Sequence, residues 1–469
     1  MLRFVFGRNG SGKTEYVRKL LSEKLLAGEK GLILIVPEQF SFETERAMLE
    51  KVGPKNMLNL EILSFSRLAE TVLSQFAPGD KPKIDDGTRA VLMSLALEAL
   101  GENAEIYKKF INRPALLQSL VTFSTELKQC AVSADQLEKA GETLPEGTLK
   151  HKLTELSKIT DLYNALVHDR FSDDTDLLTR LAEIIPEIDY FDGKTVVLDT
   201  FCGFTKQERN VIAAMLRRCK DVYITLCMDA AKAEDTLLFD NIRDEAEKLK
   251  RVCAENSVPV AKSVVCLAAE DTKTPELRAL EANVFCSKKE KYSEIPAGLQ
   301  IFSAANRTDE SDFVAREIRK LLREQNYRAG EIAVIARKKD TYDHELNAAF
   351  QKFGLPFFED KRQPVNMQPL MQMISGLLDM AADGITTEVL LRYLKTGLAG
   401  LAVDEAADLE NYAIMWNIDR AKWRSDFTGN PAGLGQAMQE REEKKLARLN
   451  ELRRRAVGPL LAFRKEFET

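Results

Sequence analysis

The stretch GRNGSGKT, residues 7 to 14, holds the clearest chemistry in the chain. It fits the spacing GxxxxGK[ST], with Gly7, Gly12, Lys13 and Thr14 in register. Gly7, Gly10 and Gly12 let the backbone curl, so that successive N–H groups around Asn9 and Ser11 face a phosphate, and the following helix offers its positive end. Lys13 then reaches the terminal phosphates of a nucleotide such as ATP, and Thr14 can hold Mg²⁺. The bland alternative is a tight glycine turn. Context favours the phosphate site: LRFVF before the loop reads as a strand, and TEYVRKLLSEKLL after it has apolar residues at helical spacing.

A motor needs more than a cradle. An acidic residue at the end of a neighbouring strand must hold Mg²⁺ through water, and a second carboxylate beside it must activate the attacking water. Asp199, at the end of TVVLDTF, suits the first role as a second metal-side residue with Thr14; its bland alternative is a turn or capping residue. Thr200 follows it and cannot act as a base. After DVYITLCMD there is no Gly-Asp with a following Gln, the pair that couples the γ-phosphate to DNA in helicases of this type. Met1 lies one residue before the first strand, so no upstream segment is expected to grip an adenine. We expect nucleotide binding with little or no turnover, and no catalytic residue.

Single-strand channels combine an aromatic ring for a base to stack on with an arginine for phosphate or base edge. Gln39 and Ser41 lie beyond the second strand's carboxyl end, where ligands of open α/β sheets gather. Phe65 and Arg67 sit in SFSR, and Phe204 and Gln207 after TVVLDTF. Each has a plain alternative in which the rings are core and Arg67 pairs with a carboxylate. Arg337 ends a strand where helicase second domains send an arginine towards the γ-phosphate; the alternative is a solvated side chain.

The elements that would position these residues alternate as strand and helix. GLILIVPEQ (31 to 39), KTVVLDTF (194 to 201) and DVYITLCMD (221 to 229) are apolar runs of the kind buried on both faces of a parallel sheet. Ser64 or Ser66 caps a helix over SFSRLAETVLSQF. The first sheet domain is expected over 1–85 and 186–290, with an all-helical insertion at 86–185. SKKEKYSEIPAG (287 to 298) suits a linker. A second α/β unit over 291–366 contains LQIFSAAN, the helix DESDFVAREIRKLLREQ, the strand EIAVIAR (331 to 337), the helix YDHELNAAFQKF and the turn GLPFF. Residues 367–469 read as helical, and the mixed signs of EREEKKLARLNELRRRA fit a solvated face. The sequence stops at EFET inside a helical pattern, as a truncated chain would.

At 469 residues the chain is too long for one core. Its formal charge of −6 argues against a general polyanion binder, although local basic faces remain open. Seven cysteines form no CxxC pair and there are three histidines, so neither a disulfide framework nor a zinc site is expected, and the thiols read as reduced and mostly buried. No apolar run approaches a membrane span and no cleavable signal opens the chain, so a cytoplasmic protein without a membrane partner is expected.

In order along the chain, GRNGSGKT, LILIVPEQFSFETE, LSFSRLAE, DDTDLL, VVLDTFCGFTKQE, TKTPEL, EIAVIAR and LKTGLAG…LENY resemble the N-terminal part of the AddB (RexB) family, from residue 1 to about 425. These are B subunits of bacterial ATP-dependent helicase/nucleases that process broken DNA ends. The resemblance implies an α/β fold with two RecA-like P-loop domains of superfamily-1 helicase type, a large helical insertion in the first and further helices after the second. It also implies a degenerate motor, a helicase-nuclease partner (AddA or RexA), and contact with single- and double-stranded DNA ends. The loops carrying Gln39, Ser41, Phe65, Arg67, Phe204 and Gln207 match those that read the Chi signal on the 3′-ended strand, and Glu70 departs from the aromatic residue expected there. The family's nuclease half, with its iron–sulfur cluster, finds no counterpart after residue 425, so no nuclease activity is expected of these residues.

Two rivals stand against this. An active translocase would need another carboxylate to replace Thr200, and would show DNA-stimulated turnover. An unrelated phosphate-loop NTPase or kinase would bind nucleotide and ignore single-stranded DNA.

Overall fold

Apolar runs that expose neither face to water must be sandwiched, and the computed structural model shows how. It describes all residues except 80, 102–105, 108–112, 230–237, 268–272, 286–289, 360–364 and 468–469. The chain divides into two units, Met1–Ile301 and Phe302–Thr469.

The first unit is built on a six-stranded sheet with the order β3-β2-β4-β5-β1-β6, every pair parallel. Its strands are β1 (Leu2–Gly7), β2 (Leu32–Ile35), β3 (Leu60–Leu63), β4 (Thr195–Leu198), β5 (Asp221–Cys227) and β6 (Val264–Val265). Alternate side chains enter opposite cores, as strand geometry requires. Leu32, Leu34 and Val197 face one core with Val17, Leu21 and Met48 of α1 (Lys13–Leu26) and α2 (Ser41–Met57). Ile33, Ile35, Val196 and Leu198 face the other, with Phe65, Leu68 and Val72 of α3 (Phe65–Phe76).

The expected helical insertion is α4 (Asp86–Leu100), α5 (Pro114–Gln129), α6 (Ala134–Glu142) and α7 (Thr148–Arg170), followed by α8 (Leu177–Ile184). Leu92, Met93, Leu156, Ile159 and Tyr163 form a separate core there. The chain re-enters the sheet at β4, then α9 (Lys206–Arg218), β5, α10 (Asp240–Glu255), β6 and α11 (Pro275–Asn283). Ser64, rather than Ser66, caps α3 by accepting the Arg67 N–H.

The second unit differs from the sequence expectation. Helices α12 (Arg307–Glu324) and α13 (Lys339–Phe353) form as expected, but no strand is present among the described residues of this unit. EIAVIAR begins in a short 3₁₀ turn and continues extended without a ladder partner, leaving Ile335 exposed. A lone strand gains nothing without a neighbour to take its N–H and C=O groups. A second RecA-like sheet is therefore absent from the described residues. The rest is helical: α14 (Pro369–Asp383), α15 (Thr387–Leu394), α16 (Val403–Met415) and α17 (Glu440–Phe467) around buried Trp423. Helix α17 is not simply a solvated face, because Leu449, Leu452, Val457 and Leu460 enter this core and Arg453 is buried, donating to Trp423 O and pairing with Asp426.

Among the described residues no helix is long and apolar enough to cross a membrane. The thiols are less buried than expected: Cys219 and Cys253 are buried, Cys130 and Cys202 are exposed, and Cys286 lies outside the described residues. Burial pushes the Cys219 thiol up to about 12.

Candidate functional site

β1 runs directly into the glycine loop. Gly7 admits no side chain, since a Cβ would stand 2.1 Å from Ser11 Oγ and 2.8 Å from Cys266 O. Gly10 (φ 75°) and Gly12 (φ 84°) occupy the left-handed region, which curls the loop before α1 begins at Lys13. No side chain caps α1, which leaves its first N–H groups to water or a ligand. Lys13 doubles back, its Nζ 2.8 Å from Gly7 O and 2.9 Å from Arg8 O. Ser11 is 7% exposed and its Oγ has no partner among the described residues. Arg8 pairs with Asp229 at 3.0 Å, so the carboxylate just beyond β5 is engaged with the loop itself.

Asp199 lies at the carboxyl end of β4, with β5 between it and β1. At about 4.8 Å per strand that spacing is roughly 10 Å, enough for a hydrated cation between the cradle and the carboxylate. Asp199 is 3% exposed and accepts from Thr225 Oγ1 at 2.6 Å and from the Thr200 N–H at 2.9 Å. Thr200 is a β-branched residue at φ 67°, and its hydroxyl donates to Asp199 O at 2.6 Å. That backbone costs on the order of 1–3 kcal/mol. No group of three or more His, Cys, Asp or Glu side chains among the described residues could hold a metal unaided. A cation here would depend on Thr14, Asp199 and phosphate oxygens, a donor set that suits Mg²⁺, which keeps several of its waters.

The carboxyl ends of β3, β2 and β4 bring residues 64–67, 39–42 and 200–204 to one edge of the sheet. Gln39 and Arg67 are exposed there. Four other expected contacts are not. Phe65 and Phe204 are buried, with Phe201 completing a ring cluster at centroid distances of 5.5, 6.3 and 5.2 Å, so neither offers an open face to a base. Gln207 is 4% exposed and its Nε2 donates to Thr175 O and Thr179 Oγ1, both at 2.9 Å, which anchors α9 to the approach to α8. Ser41 is buried at the start of α2. Sequence reasoning does not single out Phe40 and Phe42, which are 38% and 78% exposed on this edge. Their signal is the pattern FSF directly after the strand-ending PEQ.

A family model described as "ADDB, N-terminal" matches residues 4–281, more than half of the chain and nearly all of the first unit. The chain belongs to the AddB N-terminal family. Similar proteins include the B subunit of the ATP-dependent helicase/deoxyribonuclease of Acetivibrio thermocellus, 31% identical over 99% of this chain and 41% of its own length. The identically named proteins of a Thermoanaerobacter species and of Clostridium perfringens are 30% and 29% identical, with the same coverage. The chain thus spans about two-fifths of the length of the curated relatives it matches.

Within this AddB domain, the DDTDLL stretch acts as a clamp. Asp173 is buried and takes Arg89 Nη2 at 2.8 Å and Lys128 Nζ at 2.9 Å, while Lys128 also reaches Asp176 at 2.8 Å. Burial alone would raise the Asp173 pKa, but Lys128 and the Thr175 N–H outweigh it and hold the carboxyl at about 2. The clamp joins α4, α5 and the approach to α8, and Gln207 connects it to α9. Glu70, the departure from the family pattern, pairs with Lys83 at 2.6 Å. Arg337 is exposed and belongs to the second unit.

Proposed function

We propose that this chain is the helicase-like, DNA-contacting part of the B subunit of a two-subunit ATP-dependent helicase/deoxyribonuclease, the enzyme its relatives are named for. It binds ATP with Mg²⁺ and turns it over little. The observation that carries this is a glycine loop leading from β1 into α1 at Lys13, together with a strand end at which Asp199 is followed by Thr200, whose hydroxyl donates to the Asp199 carbonyl. Lys13 and the N–H groups of the loop and of α1 hold the terminal phosphates, and Thr14 and Asp199 hold the cation, chiefly through water. Activation of water needs a base beside the metal-side carboxylate, and a threonine hydroxyl supplies none. A translocase reading would require another carboxylate in that place, and Asp229, the acidic residue that follows β5 among the described residues, is paired with Arg8.

The sheet edge at 39–42 and 64–67 contacts the 3′-ended single strand. Phe42 and Phe40 stack on bases, and Gln39 and Arg67 take phosphate or base edges. A motor subunit of the AddA kind moves the DNA while this subunit scans for the Chi signal at broken ends in the bacterial cytoplasm. An iron–sulfur cluster would belong only to a nuclease half such as the resemblance implies. Fluorescence anisotropy with a labelled single-stranded oligonucleotide, alongside ATP titration, tests both halves: binding of each ligand supports the proposal, and binding of ATP without DNA overturns the DNA-contacting role.

A further inference from the structure

A second lysine stands at the rim of the cradle, outside the phosphate-loop motif. Lys273, in TKTPEL just before α11, places its Nζ 3.3 Å from Asn9 O and 2.5 Å from a Glu281 carboxylate oxygen. Its Cε and Nζ lie 3.5 and 3.7 Å from the point where a Gly10 Cβ would be, so the ammonium sits against the crown of the loop. Arg8, on the same loop, reaches Glu281 O at 3.5 Å. The end of the first unit therefore meets the phosphate loop through a lysine and a glutamate that can separate.

The electrostatics favour their separating when phosphate arrives. Lys273 and Glu281 keep 27% and 34% of their side-chain surface exposed, and ion pairs so open to water are weak. The other partner of Lys273 is a neutral carbonyl. A nucleotide's terminal phosphates present several charged oxygens at once, and ammonium–phosphate hydrogen bonds are stronger than ammonium–carbonyl ones. Arg8 is already matched by Asp229, and Lys13 bonds to loop carbonyls, so among the described residues Lys273 is a further cation at the loop that can be released at low cost.

Resting on the nucleotide-binding reading above, we infer that Lys273 is a second phosphate-binding lysine, which leaves Glu281 for the terminal phosphates of a nucleoside triphosphate. Glu281 competes with the nucleotide for it. A purely structural tie between α11 and the loop would act in the opposite sense, since loosening either partner would then weaken binding.

Isothermal titration of the 469-residue chain with ATP and with AMP, in Mg²⁺ at fixed ionic strength, separates the two. The inference predicts that Lys273→Ala weakens ATP binding about tenfold, the loss of one charge-assisted contact, while AMP binding stays unchanged. Lys273→Arg restores most of the loss, and Glu281→Gln tightens ATP binding severalfold. The inference is overturned if Lys273→Ala binds ATP like the wild type, if ATP and AMP weaken together, or if Glu281→Gln weakens ATP binding. Wild-type binding that is lost in Lys13→Ala but untouched by Lys273→Ala sinks only this inference. A wild type that binds no ATP sinks the nucleotide reading with it.

Discussion

The Thr225 hydroxyl donates to the Asp199 carboxylate at 2.6 Å, joining the side chain of β5 to the end of β4 directly beside it. One carboxylate oxygen is thereby fixed by a neighbouring strand and by the Thr200 N–H, while the residue that would complete a catalytic pair turns its hydroxyl onto the backbone. On the proposed reading, Asp199 is a metal-side carboxylate held in place by its neighbours, and Thr200 brings no water-activating base beside it.

Removing that donor should be felt in stability. Thr225→Val leaves a buried carboxylate short of a hydrogen bond, which costs about 1–3 kcal/mol. A thermal melt should show the midpoint falling by several degrees, and an unchanged midpoint would mean that the carboxylate finds another partner.

Thr200 carries a backbone penalty that glycine would not. Thr200→Gly should be neutral or stabilising by up to about 1 kcal/mol, the strain relief being partly offset by the freer unfolded chain. Denaturant unfolding checks this, and a clear destabilisation would indicate that the hydroxyl's bond to Asp199 O matters more than the φ of 67°.

The two kinds of phenylalanine at the sheet edge should behave oppositely. Phe42→Ala should leave the melting midpoint unchanged and weaken single-strand binding roughly 5- to 150-fold, from about 1–3 kcal/mol per stacked base. Phe65→Ala should cost about 3–5 kcal/mol of stability as a core truncation. Anisotropy and melts on the same two variants decide the matter, and a Phe42 variant that binds DNA like the wild type would remove this edge from the strand path.

The Asp173 clamp sets a pH dependence. The carboxyl is held at about 2 in the folded chain against an ordinary 3.8, so the unfolded chain takes up the proton first as pH falls. The stabilisation, about 2 kcal/mol, is fully present above pH 4 and is lost between about pH 4 and 2. Asp173→Asn should abolish that part of the acid sensitivity while lowering stability at neutral pH by about 3–5 kcal/mol, because Arg89 and Lys128 lose their buried partner. Melts of both forms between pH 7 and 2.5 give the comparison. Parallel loss of stability in the two forms would place the acid sensitivity elsewhere.

Legibility in the sequence followed the strength of local signals. β1, β2, β4 and β5 were readable because residues buried on both faces make continuous apolar runs, and the cradle because its glycines and lysine have fixed offsets. β3 has Glu61 inside it and only alternate residues buried, so it makes no continuous apolar run, β6 has two residues, and the sheet neighbours that stabilise both are distant in sequence. EIAVIAR has strand composition, but composition does not supply a partner. At the site, the identities of Phe65, Phe204 and Gln207 could not separate a base platform from a brace, because that depends on whether Phe201 and Thr175 come to meet them. Phe42 and Phe65 are chemically the same residue a short way apart, and only the fold assigns one to solvent and the other to the core.

A retained cradle without an engine is tested most directly by ATP hydrolysis measured beside ATP binding, with and without single-stranded DNA and with Lys13→Ala as reference. The wild type should bind ATP, Lys13→Ala should abolish that binding, and wild-type turnover should be no higher than the variant's in either condition. Turnover that rises with DNA and disappears in Lys13→Ala would contradict it, and would mean that some other carboxylate activates the water that Thr200 cannot.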